Sequence, residues 1–108
     1  MLTIENKHTL INQRIVLSVV RPDMMGTYKI YNMYDAVGGE DEYHLHIRHI
    51  NKLHSDVRLI LNRFKTGKGY ILFNKDNPMS SMLLRSEQID NKPTFLKAIE
   101  MVMIMNTI

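Results

Sequence analysis

The sequence predicts a small α+β domain: an antiparallel sheet of about four to five strands with two helices on one face. Three observations carry this. The runs Thr27 to Tyr34 and Tyr43 to Ile50 alternate in character around the turn-rich acidic stretch Asp35 to Glu42, which is the pattern of a β-hairpin. Val57, Ile60, Leu61 and Phe64 recur at helical spacing, as do Phe95, Ile99, Val102 and Met105 or Asn106. At 108 residues the chain can bury one core but not two, so residues 1–108 form a single domain.

In chain order, Arg14 to Val20 is rich in β-branched residues and is stopped by Arg21-Pro22-Asp23, which makes it the first strand. The hairpin over 27–50 follows. If Tyr34 pairs with Tyr43, then Asn32 meets Leu45, Ile30 meets Ile47 and Tyr28 meets His49, and this face is the core. The opposite face then gathers Lys29, Tyr31 and Met33 against His44, His46 and Arg48. Ser55 suits an N-cap and Asp56 the positive end of a helix, so a short amphipathic helix is expected over 55–66, closed by Thr66-Gly67.

Gly69 to Asn74 reads as a strand ended by Lys75-Asp76-Asn77-Pro78. Residues 78–89 admit either a strand returning over Ser81 to Ser86 or a helix starting at Pro78, and the strand is adopted. Asn91 caps a last helix over 92–106.

Composition is that of a globular protein, with 44% hydrophobic and 23% charged residues and only 3 Pro and 5 Gly. A formal charge of +3 is mildly basic and does not by itself demand nucleic acid. With no Cys there is neither a disulfide framework nor a thiolate metal site, which points to a reducing, cytoplasmic setting. The N-terminal residues lack the pattern of a secretory signal. The longest apolar runs, such as Met101 to Met105, fall far short of the ~20 residues that span a bilayer. Ala occurs only at Ala36 and Ala98 while Ile, Asn, Lys and Met abound, a bias of AT-rich genomes that suits a phage, a virus or a low-GC bacterium.

The sharpest asymmetry lies between Val57 and Lys75, where Arg58, Arg63, Lys65, Lys68 and Lys75 stand without one Asp or Glu. Clustered Lys and Arg answer both to phosphates and to acidic protein surfaces. The hairpin face adds Lys29, Tyr31, His44, His46 and Arg48, a set able to stack on bases and contact phosphates. His44 and His46 have the spacing of two metal ligands on one strand face, but successive positions on that face lie ~6 to 7 Å apart, so a third ligand must come from elsewhere, such as His8, His49 or His54. If exposed, these imidazoles add positive charge below about pH 6.5.

Lys68-Gly69-Tyr70-Ile71-Leu72-Phe73 is similar in its opening to the strand signature of RNA-recognition motifs. Leu72 and Lys75 then replace aromatics, so that stacking platform is missing. Gly67-Lys68 is no phosphate-binding Walker loop either, since a following Ser or Thr is lacking. No Cys nucleophile or nucleophile elbow is available, and Glu40-Asp41-Glu42 fits a solvated turn.

These features lead to the expectation of a non-enzyme without a cofactor. The leading reading is a small protein-interaction factor, such as a phage- or virus-encoded modulator or inhibitor of a host protein in the host cytoplasm. It would dock through the basic segment or through the terminal helix, where Met101, Met103, Ile104 and Met105 exceed what one amphipathic stripe hides and could also seam a homodimer. The alternative is a nucleic-acid-binding module using the basic segment 57–75 and the hairpin face. A metal-dependent enzyme built on His44 and His46 is a minor third.

Overall fold

A computed structural model describes residues 9–17, 25–35, 42–51, 55–64 and 69–105. Six strands lie side by side in chain order in one antiparallel sheet: β1 (Arg14–Leu17), β2 (Gly26–Asp35), β3 (Glu42–His49), β4 (Val57–Arg63), β5 (Gly69–Asn74) and β6 (Asn77–Arg85). Two helices follow, α1 (Ser86–Asp90) and α2 (Lys92–Ile104). Because α2 touches β1 at one edge as well as β5 and β6 at the other, the sheet curls around it. The α+β class therefore holds.

The helix expected over 55–66 is not formed: Val57–Arg63 is a strand, which accounts for the sheet having more strands than expected, and residues 65 and 66 lie outside the described residues. Leu59 and Leu61 of β4 point inward opposite Leu45 and Tyr43, while Ile60 points outward between His44 and Phe73 and is still only 7% exposed. A strand apolar on both faces loses its alternation, and its residues then imitate helical spacing. Ser55 does not cap a helix. Its Oγ accepts a hydrogen bond from the His49 N–H at 3.1 Å and so ties the β3–β4 connection.

The hairpin forms between β2 and β3 with a changed register. Tyr28 pairs with His49 and Ile30 with Ile47 as expected, but a bulge between Ile30 and Asn32 then brings Asn32 to His46, Met33 to Leu45 and Tyr34 to His44. One extra residue flips every later side chain. Met33 is consequently core, and Asn32 and Tyr34 lie outside. Residues 18–20 of the expected first strand lie outside the described residues.

β5 agrees with the sequence, and residues 77–85 are strand rather than helix. The short α1 was not foreseen; the Arg85 N–H donates to Gln88 Oε1 at 2.8 Å, one half of a capping box. α2 begins where expected, with Asn91 Oδ1 accepting from the Thr94 N–H at 3.1 Å and from Thr94 Oγ1 at 2.9 Å. Its inward stripe of Phe95, Ala98, Ile99, Val102 and Met103 packs with Ile15, Leu17, Ile30, Leu45, Ile47, Leu59, Leu61 and Leu72 in one core. No helix among the described residues is long and apolar enough to cross a membrane.

Candidate binding face on the outer side of the sheet

With α2 filling the inner face, every second side chain of the strands projects outward. Strand alternation divides the basic segment between the two faces. Arg58 pairs with His46 and faces out, whereas Arg63 pairs with Tyr70 on the opposite face, about 17 Å further along the strand. Lys65 and Lys68 lie outside the described residues. The segment from Val57 to Lys75 is therefore not one cationic stripe.

Register assembles a different cluster. Arg14 of β1 pairs with Lys29 of β2, and Lys29 pairs with Arg48 of β3, so three cations stand abreast on adjacent strands. At a strand spacing of about 4.8 Å the row is about 10 Å wide. Like charges placed directly opposite destabilise a sheet. Among the described residues one carboxylate relieves the row: Asp56, just before β4, accepts a hydrogen bond from Arg48 Nε at 2.9 Å. Among the described residues Arg14 and Lys29 have no carboxylate partner.

Asp56 also lies 3.1 Å from His46 Nε2, without meeting hydrogen-bond geometry. The hydrogen bond from Arg48 holds the Asp56 carboxyl below the usual carboxylate range, and His46 adds to this; partial desolvation opposes both. The same hydrogen bond raises Arg48 above its ordinary value.

Aromatic rings line this patch. The Arg48 guanidinium sits over the ring of Tyr31, 5.1 Å from its centroid, and His46 meets that ring edge-on at 5.7 Å. Tyr34 lies tilted over His44 at 5.4 Å. Tyr31 is 57% and Tyr34 40% exposed, so both rings offer a face to solvent. A cleft of about 360 Å³ opens among Arg14, Lys29, Tyr31, Arg48, His49 and Ile50.

His49 borders this cleft, but its ring packs edge-on to Tyr28 on the inner face and is buried. Its Nδ1 accepts from the Asn51 N–H at 3.0 Å, so the neutral ring carries its proton on Nε2, which faces the Met25 carbonyl oxygen at 3.3 Å. His44 Nε2 is buried and has no hydrogen-bond partner, with Glu42 Oε1 at 3.8 Å. Among the described residues no group of three or more His, Asp or Glu side chains gathers to hold a metal ion. His8 and His54 lie outside those residues, as do Glu40 and Asp41.

Of the residues singled out from the sequence, Lys29, Tyr31, His44, His46, Arg48 and Arg58 thus share one face. Arg14 and the counterion Asp56 join them only through register. On α2, Met103 is buried in the core, Ile104 packs against it, and Met101 and Met105 remain exposed one turn apart. Searches of family models, curated proteins and solved structures return no match to the chain.

Proposed function

We propose that the chain is a non-catalytic module whose outer sheet face binds single-stranded nucleic acid. One observation carries the reading: Arg14, Lys29 and Arg48 stand abreast with, among the described residues, one carboxylate at the β4 end of the row, with the exposed Tyr31 ring beside them and the exposed Tyr34 ring further along β2. Phosphates would offset the mutual repulsion of the cations, and bases would stack on Tyr31 and Tyr34. Stacking of this kind contributes about 1–3 kcal/mol per base and tolerates any sequence. Arg58, without a carboxylate partner among the described residues, extends the cationic track onto β4.

The test is fluorescence anisotropy of a labelled single-stranded oligonucleotide, with the duplex of the same sequence as comparison. Preference for the single strand, lost in Tyr31→Ala, supports the reading. Equal binding of the duplex, or none of either, contradicts it.

A second reading, a protein partner, is favoured by the opposite edge. Met79 of β6 is 90% exposed and Leu83 66%, large apolar surfaces that water solvates poorly. Capture of a protein from lysate that survives nuclease treatment, and is lost in Leu83→Ser, would support docking there.

A further inference from the structure

We infer that the cleft between Arg14, Lys29 and Arg48 is a subsite for a nucleoside phosphomonoester, either the phosphorylated end of a strand or a free mononucleotide. The inference rests on the reading of the outer face as a nucleic-acid surface and narrows it to one chemical group.

Charge matching separates a terminal phosphate from an internal one. Among the described residues the row carries three cations and one carboxylate, a surplus of two positive charges at the cleft. A terminal phosphate bears about −1.5 to −2 at pH 7, which meets that surplus, whereas an internal phosphodiester bears a single negative charge. Arg48 remains able to donate: Asp56 is bound through Nε, and among the described residues no partner engages the terminal amino groups of the guanidinium. Asp56 fixes the guanidinium, and the Tyr31 ring beneath it completes the support.

The non-ionic lining suits the rest of a nucleotide. Tyr31 and the exposed Ile50 give an aromatic and an apolar wall. A volume of about 360 Å³ lies at the lower end of the range for small-molecule sites, about 300–1,000 Å³. It is room for one nucleotide rather than for a folded nucleic acid.

The experiment is calorimetric titration of the intact chain with adenosine 5′-monophosphate, adenosine and inorganic phosphate, alongside anisotropy of one oligonucleotide with and without a 5′-phosphate. The monophosphate should bind at least ~10-fold more tightly than adenosine, a difference of about 1.4 kcal/mol. It should also outcompete inorganic phosphate, which lacks a ring for Tyr31. Arg14→Gln and Lys29→Gln, each with an unaltered unfolding curve, should each weaken the monophosphate several-fold, and Tyr31→Ala should weaken the monophosphate by a larger factor than it weakens inorganic phosphate.

Preference for the phosphorylated oligonucleotide identifies a strand end as the source; equal binding of the two oligonucleotides with tight monophosphate binding identifies a free nucleotide. Adenosine binding as well as its monophosphate, or a monophosphate affinity untouched by both cation substitutions, overturns the subsite. If the unphosphorylated oligonucleotide still binds in that case, the wider nucleic-acid reading survives alone. Monophosphate binding with no binding of either oligonucleotide removes the wider reading instead.

Discussion

Gly26→Ala is the substitution whose cost the structure defines most closely. Gly26 opens β2 at φ +134°, a conformation that residues with a Cβ rarely adopt. Forcing alanine into it costs about 1–3 kcal/mol in backbone strain. A Cβ there would also lie 2.0 Å from His49 Nε2, with two more ring atoms at 2.9 and 3.0 Å. The ring cannot swing away freely, because it packs edge-on to Tyr28 at 5.0 Å and accepts the Asn51 N–H. Losing that bond in a buried setting costs a further ~1–3 kcal/mol.

The total is about 2–6 kcal/mol, which at about 4–8 °C per kcal/mol for a domain of this size lowers the melting temperature by at least ~8 °C. Thermal and urea unfolding followed by circular dichroism measure it. Adding His49→Ala removes the clash but not the φ strain, so the double variant should lose less than the sum of the two single losses, with a coupling of about 1 kcal/mol or more. A Gly26→Ala protein within about 0.5 kcal/mol of the parent, or strict additivity with His49→Ala, would refute the reasoning.

Three further outcomes are expected. Phe95→Ala empties the centre of the α2 contact, where the ring is fully buried, and should cost about 3–5 kcal/mol by urea unfolding. Asp56→Asn removes the carboxylate that occupies Arg48, so oligonucleotide affinity at low salt should rise and its salt dependence steepen by up to ~0.7 in log–log slope. Asp56 also predicts a pH effect. Its carboxyl titrates lower in the folded chain than in the unfolded one, so its stabilising contribution is present above the ordinary carboxylate range and is lost as pH falls through the depressed folded value. Melting temperatures of parent and Asp56→Asn, scanned from about pH 6 to about pH 2, should converge at the acid end, by a small amount because the pair is solvent-exposed.

The elements that could be read from the letters are those where one local signal dominates. β5 lies between Gly69 and the Lys75-Asp76 turn, and α2 carries both a capping Asn91 and a clear apolar stripe. β4 misled because Ile60 is buried on the outer face by its neighbours on β3 and β5, a tertiary effect that erased the period of two. Its brevity and its Val-Arg-Leu-Ile-Leu composition were the available clues. The bulge at Tyr31 had a fainter trace: Ile30 and Met33 are both core yet an odd number of positions apart, which no regular strand allows.

The candidate face was half legible. Lys29, Tyr31, His44, His46 and Arg48 follow from hairpin alternation alone, even with the register wrong beyond Ile30. Arg14 could not be found this way, since it lies on another strand and its alignment with Lys29 is a property of β1–β2 pairing. The cationic segment 57–75 was read as one stripe for the reason that β4 was read as a helix. A helix would have spread its side chains around one cylinder, whereas a strand sends Arg58 and Arg63 to opposite faces.

The salt dependence of single-strand binding tests the central claim most directly. If Arg14, Lys29, Arg48 and Arg58 neutralise phosphates, log K should fall linearly with log salt at a slope of about −2 to −3, at about −0.7 per contact, and Lys29→Gln should flatten it by about 0.7. A slope near zero, or one that Lys29→Gln and Arg14→Gln leave unchanged, would contradict the assignment of this face as the nucleic-acid surface.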